Sequence, residues 1–113
     1  MEKLRKNSLF QDVYRNHRSF ADKYFVMYIR PNGLEVNRVG FSVSKKVGNS
    51  VVRHHITRLL REAFRLSEEM FNSGLDIVII ARPASAEVTF EETMKSLRGL
   101  AKRHRFLKST VES

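Results

Sequence analysis

Between Ser50 and Glu69 the chain carries two sets of residues at helical spacing, one apolar and one basic. Placed at 100° intervals, Val52, Ile56, Leu59, Leu60 and Ala63 gather on one arc of a helix. Arg53, Thr57, Arg58, Arg61 and Arg65 gather on a separate arc, with His54 among them. Most of the stability of such a helix comes from burying its apolar arc, so the rest of the chain must supply a layer to cover it.

Strands supply that layer. Tyr24 to Arg30 is rich in β-branched and aromatic residues, and alternation puts Tyr24, Val26 and Tyr28 on one face, with Phe25, Met27 and Ile29 on the other. Both faces are apolar, which implies a strand covered on both sides or one facing a ligand. Arg38 to Ser44 forms a second strand, with Val39, Phe41 and Val43 on one face and Gly40, Ser42 and Ser44 on the other. The turn signal Pro31-Asn32-Gly33 between them predicts an antiparallel pair joined by a longer loop. Asp76 to Ala81 is a short apolar run of the kind found in a buried central strand, and Pro83 ends it.

Two capping boxes predict further helices. Ser8-Leu9-Phe10-Gln11 opens a short one running to about Asn16, with Phe10 and Tyr14 one turn apart. Thr89-Phe90-Glu91-Glu92 opens another, in which Phe90, Met94, Leu97 and Leu100 recur at helical spacing. The order helix, strands, helix, strand, helix predicts a small α/β sandwich on a mixed sheet. At 113 residues, without repeats or a Pro/Gly/Ser-rich linker, the chain is expected to form one domain over residues 1–113.

The charge narrows the partner. Lys and Arg number 21 against 12 Asp and Glu, a net +9, and the pI is near 10.4. Such a balance in so small a domain points to a polyanion. Four arginines on one arc repel one another unless an anion joins them, and each offers a planar fork to phosphate. The acidic residues nearby are Glu62, placed off the arginine arc, and Glu68-Glu69. Just upstream, Lys45 and Lys46 bring more positive charge to the helix N-terminus, Gly48 permits a tight approach, and backbone N–H groups there favour phosphate. An ordinary solvated helix face is the plain alternative. An anionic membrane surface is disfavoured because the opposite arc is used for packing and there is no Trp. Phe10, Tyr14 and Tyr28 offer either a stacking surface for unpaired bases or core filling.

There is no cysteine, so disulfides and thiolate chemistry are excluded. The N-terminus has no apolar segment of a signal peptide, and Ile77–Ala81 is too short to span a bilayer. A soluble, cytoplasmic protein without membrane contact or small-molecule substrate is expected. No catalytic or metal-binding residues are predicted. His54 and His55 are neighbours on a helix and point about 100° apart, so they cannot flank one phosphate together. His17 and His104 lack companion carboxylates, and the acidic residues are too scattered for a two-metal site.

Ser42-Val43-Ser44-Lys45-Lys46-Val47-Gly48-Asn49-Ser50-Val51-Val52-Arg53, followed by Arg58-Leu59-Leu60-Arg61-Glu62-Ala63-Phe64, resembles the signature of the bacterial ribonuclease P protein family. The family pattern reads approximately S-V-S-K-K-x-G-N-A-V-x-R-N-R-x-K-R-x-x-R-E-x-F. Phe10-Gln11-x-Val13-Tyr14, Phe25-Val26-x-Tyr28, Arg38-Val39-Gly40-Phe41, Ala81-Arg82-Pro83-Ala84-Ser85 and Thr89-Phe90-Glu91-Glu92 match in the same order, so the likeness covers nearly the whole chain.

The resemblance implies an α+β fold, an α/β sandwich of the order α-β-β-β-α-β-α. Its sheet would be mixed, mostly antiparallel and four-stranded, with three helices, a short strand near Ser19 to Ala21 and a left-handed βαβ crossover against the usual rule. It further implies a subunit of a ribonucleoprotein endoribonuclease. The catalytic RNA cleaves the 5′ leader from precursor tRNA using Mg²⁺, and the protein binds that leader between the first helix and one sheet face. By position, the cleft would use Phe10, Tyr14, Val26, Tyr28 and Ser42. The basic motif would use Lys45, Lys46, Arg53, His54, Arg58, Arg61 and Arg65 against the catalytic RNA. The alternative is an RNA-binding module of another ribonucleoprotein with no role in tRNA processing. The sequence departs from the family where Arg-Asn-Arg becomes Arg53-His54-His55 and where Thr57 replaces the usual Lys.

Overall fold

The computed structural model describes residues 2–3, 10–11 and 18–105. Among these, five strands form one mixed sheet. They are β1 (Glu2–Lys3), β2 (Arg18–Ala21), β3 (Phe25–Pro31), β4 (Arg38–Ser42) and β5 (Leu75–Ala81), in the spatial order β1-β4-β5-β3-β2. Two long helices, α1 (Ser50–Ser67) and α2 (Phe90–Arg103), are joined to the sheet through short 3₁₀ turns at Glu68–Met70 and Pro83–Glu87. The four expected strands are all present, and β2 is the short one near Ser19. The two-residue β1 adds a parallel edge beside β4 and precedes every expected element. Of the expected first helix only Phe10 and Gln11 fall within the described residues, and both are helical. The other residues of that helix, Ser8 and Tyr14 among them, lie outside the described set.

The order of strands corrects one expectation. β3 and β4 run in opposite directions but are not neighbours, because β5 lies between them, antiparallel to β3 and parallel to β4. Two forces put it there. Ile77, Val78 and Ile79 are fully buried, so β5 needs cover on both faces and pairing on both edges. The six residues 32–37 reach across the two strand spacings of about 10 Å that this requires. Two asparagines then fix the crossing. Asn32 donates from its backbone to Gly74 and from its side chain to Val36 O and Asp76. Asn37 donates to Asn72 O and accepts from Leu75 N.

Pleating divides the sheet into two unlike faces. Phe25, Met27, Ile29, Val39, Ile77, Ile79 and Ala81 face the helices and form the main core with Ile56, Leu60, Ala63, Phe64, Leu97 and Leu100. The register places the other face in rows: Ala21, Val26, Ile80 and Ser42, then Ser19, Tyr28, Val78 and Gly40, then Arg30, Asp76 and Arg38. Tyr24 joins neither strand nor row. Asp22 Oδ1 accepts the backbone N–H groups of Tyr24 and Phe25, and the resulting turn sends the Tyr24 hydroxyl to Glu92 at 2.7 Å. The capping box at the start of α2 forms as expected, with Thr89 and Glu92 bonding reciprocally.

Asp76 is fully buried at the end of this second face. Burial alone pushes its carboxyl upward. The bonds from Arg38 at 2.7 and 2.8 Å and from Asn32, with the charges of Arg38 and Arg30, outweigh that and hold it below the usual carboxylate range. On the helix-covered face His104 closes α2 onto the sheet. Its Nε2 donates to Met27 O at 2.8 Å and its ring meets Phe20 edge-on.

Two outcomes follow for stability. Burial holds the His104 imidazole below its ordinary pKa, and Arg18 and Arg103 reinforce this against the bond to Met27. The unfolded chain therefore binds the proton first as pH falls, and stability rises with pH across the window just below the normal histidine value. Urea midpoints should fall between pH 7 and pH 5, and the fall should be shallower in His104→Gln. In the second case, a Cβ on Gly40 would overlap the Phe10 ring. Gly40→Val should cost about 1–3 kcal/mol, and less in a Phe10→Ala background, as read by a double-mutant cycle in denaturant.

Candidate nucleic-acid interface

Gly40 defines the first part of the interface. Strand glycine leaves a hollow in the middle row of the second sheet face, and the Phe10 ring fills it from above, packed with Tyr28, Val78 and Ile80. Phe10 and Tyr28 are both half-buried, so they serve as floor and wall together and keep an exposed part. Val26 and Ser42 lie in the adjoining row, also half-buried. Four of the five expected cleft residues thus share one face; Tyr14 lies outside the described residues. Sequence reasoning missed Ser19, Ala21 and the Arg30–Asp76–Arg38 row on the same face. The signal for the last was available, since Asp76, Val78 and Ile80 alternate along one strand.

The chain leaves this face at Ser42 and turns directly into the basic segment. Lys45 and Lys46 are exposed on a turn anchored by buried Val47, and Val47 N–H donates to Ser44 O. A Cβ on Gly48 would come within 2.9 Å of Val52, so glycine lets the turn close against the first turn of α1. Asn49 caps that helix by accepting from Val52 N–H at 3.0 Å. The first turn of α1 has no acidic residue, so the positive end of the helix dipole adds to the lysines instead of being offset.

Along α1 the apolar arc packs as expected: Ile56, Leu60, Ala63 and Phe64 are buried, and Val52 and Leu59 pack against the core from its margin. The basic arc divides into unlike parts. The Nε of Arg53 is buried and meets no acceptor among the described residues. Arg58 and Arg61 are exposed, with no ion pair among the described residues. Arg61 stands between two hollows, one toward the β4 edge with Phe41 and Phe64, the other toward α2 with His55 and Phe90. Arg65 differs. Both oxygens of Glu62 bond to its guanidinium, which lowers the Glu62 carboxyl and raises the Arg65 guanidinium. Glu62, expected off the arc, is in fact the partner of its last arginine, because a spacing of three residues returns to the same side of a helix.

His54 and His55 are both exposed, and only His55 lines the hollow toward α2. The Thr57 hydroxyl donates back to Arg53 O at 3.0 Å, so it is engaged with its own helix. Among the described residues no group of three or more His, Asp or Glu is placed to hold a metal ion. None of their helices is long and apolar enough to cross a membrane.

Comparison with known proteins agrees with this arrangement. Residues 1–105 match the family described as Ribonuclease P. The ribonuclease P protein component of Lachnoclostridium phytofermentans is 52% identical over 109 residues, covering 96% of this chain and 94% of that protein. That of Clostridioides difficile is 48% identical over 101 residues, covering 88% and 89%. Among solved structures, the RNase P protein of Staphylococcus aureus superposes with a TM-score of 0.87 at 33% identity, covering 96% and 99% of the two chains. That of Thermotoga maritima gives 0.83 at 32% identity, covering 91% and 97%. With both the sequence and the two-faced sheet in agreement, the chain belongs to the family of bacterial ribonuclease P protein components, the protein subunit of a tRNA-processing ribonucleoprotein endoribonuclease.

Proposed function

We propose that this subunit holds two RNAs on two surfaces, as a single domain working in the cytoplasm. The 5′ leader of precursor tRNA lies on the sheet face beneath Phe10, and the catalytic RNA lies along the turn at Lys45-Lys46 and the exposed side of α1. One observation carries the reading. A sheet face with half-exposed aromatics runs through Ser42 into a helix whose leading cation, Arg53, has a buried Nε with no acceptor among the described residues. A buried donor left unpaired costs roughly 1–3 kcal/mol, and a phosphate oxygen would remove that cost. Arg58 and Arg61 extend the same phosphate path. His54 lies beside it as a donor and acceptor, and Arg65 joins it only by sharing or releasing Glu62.

The sheet face suits an extended single strand. Unpaired bases stack on Tyr28 and Phe10, Val26 supplies an apolar wall, and the Ser42 hydroxyl offers a hydrogen bond at the end of the row. Catalysis belongs to the RNA of this ribonucleoprotein. Mg²⁺ serves the RNA-bound chemistry in the proposed reaction, and the described side chains assemble no site for it.

Reconstitution tests the reading as a whole. Adding this protein to a bacterial ribonuclease P RNA should restore cleavage of precursor tRNA at low Mg²⁺, and the protein alone should cleave nothing. Cleavage without RNA, or no effect on the RNA's activity, would refute it. At finer grain, Arg58→Ala or Arg61→Ala should weaken binding to the catalytic RNA. Each should also make the dependence of log affinity on log salt shallower, by about 0.7–0.9 for every phosphate that the variant no longer neutralises. Tyr28→Ala should reduce affinity for leader-bearing over leaderless precursor by roughly 1–3 kcal/mol, and equal losses on both substrates would remove Tyr28 from the leader site.

A further inference from the structure

The hollow between α1 and α2 adjoins the basic side of α1 and adds His55, Leu59 and Phe90 to the arginines assigned above. His55, Arg58, Leu59 and Glu62 recur at three- and four-residue spacing, so they form one stripe along α1, and that stripe faces Phe90 at the start of α2. Phe90 is half-buried: one side of its ring packs against the core margin and the rest lies open in the hollow. The charge balance of the hollow is decided by Glu62. Its carboxylate is taken up by Arg65 through both oxygens, which leaves Arg58 and Arg61 as cations without an acidic partner among the described residues. An aromatic face, two arginines and an imidazole around one opening form a site for a base carrying its phosphate.

We infer that Phe90 is a base-stacking residue for an unpaired nucleotide of the catalytic RNA. The ring takes the base, while Arg58 and Arg61 hold the flanking phosphates. The site deepens the proposed role of α1 and rests on it, since the same arginines are assigned there to the catalytic RNA. It adds a position that charge alone would not provide, because an arginine arc holds any polyanion but a ring in a hollow selects a base that is out of its helix.

The test uses the holoenzyme partners without substrate. Binding of the full chain to a bacterial ribonuclease P RNA is measured for Phe90→Leu, which keeps apolar packing, for Phe90→Trp, which keeps a stacking face, and for Arg58→Ala. Phe90→Leu should lose about 5- to 150-fold in affinity, the range for one stacked base, with melting temperature unchanged, and Phe90→Trp should bind like the parent. Parent-like binding by Phe90→Leu would overturn the inference, as would equal losses in the Leu and Trp variants, which would make the ring a packing element. If Arg58→Ala also binds like the parent, the assignment of α1 to the catalytic RNA falls with it; if only Arg58→Ala is weakened, the stacking site alone falls. A second readout does not depend on affinity. Phe90→p-azidophenylalanine, irradiated in the complex, should cross-link to an unpaired nucleotide, and cross-linking confined to paired segments would also overturn the proposal.

Discussion

Everything in this fold hangs on β5 being bonded on both edges and covered on both faces. A strand of this kind presents no edge to solvent, and its side chains meet apolar partners on either side. Here the cover is unequal. One face receives α1 and α2, enough to bury Ile77, Ile79 and the residues beside them. The other receives Phe10 over Val78, with Tyr28 and Ile80 at the margin, and stays partly open. That inequality leaves one sheet face partly open without weakening the central strand. The one charged residue of β5, Asp76, sits where the cover ends, and arginines from both neighbouring strands neutralise it. Burying an isolated carboxylate there would be prohibitive. The three side chains therefore fix the register of β3, β5 and β4 in the row where apolar packing gives out.

A sheet arranged in this way leaves α1 to mediate between the two surfaces. Its apolar arc is fixed on the core, so its rotation about its own axis is fixed as well, and so is the direction of each cation. Arg53 is drawn in far enough for its Nε to lose water, whereas Arg58 and Arg61 remain hydrated. Arg65 is bound to Glu62, and the pair is exposed, so it contributes little to stability. Its consequence is electrostatic and local. By occupying the one carboxylate on the α2-facing stripe, Arg65 leaves that stripe positive where Arg58 stands.

Much of this fold is legible in the sequence, and the parts that are not share a cause. The three longer strands β3, β4 and β5, both long helices and the apolar arc of α1 follow from periodicity, which reports what each residue must face; the short β2 follows only from the family resemblance. Adjacency is another matter. The turn after Pro31 reads as the start of a hairpin, but Asn32 and Asn37 bond to the turn before β5, so the loop crosses over it and β4 lands on its far side. No local pattern encodes that, because the partners lie some forty residues away. Alternation misplaces Tyr24 for a related reason: it assigns the residue a sheet face, while the Asp22 turn gives it to Glu92. Gly40 is a related case: alternation places it on a sheet face with Ser42 and Ser44, and the close approach of the Phe10 ring that a strand glycine permits is seen in the structure.

The same distinction bears on the three positions where this chain departs from the family pattern. Replacing Lys by Thr at position 57 removes a cation from α1, and the hydroxyl turns back onto Arg53 O instead of reaching outward. That bond lies on the turn that carries Arg53, so the substitution exchanges a mobile charge for a tether on the most buried cation of the arc. His54 and His55 diverge by the angle between neighbours on a helix, and the structure gives them different surroundings. His54 stays with the exposed basic side, while His55 enters the hollow with Arg58 and Phe90. An imidazole in place of arginine at position 55 gives that hollow a second flat ring besides that of Phe90. The departure therefore exchanges a guanidinium for an imidazole in the hollow that Phe90 also lines.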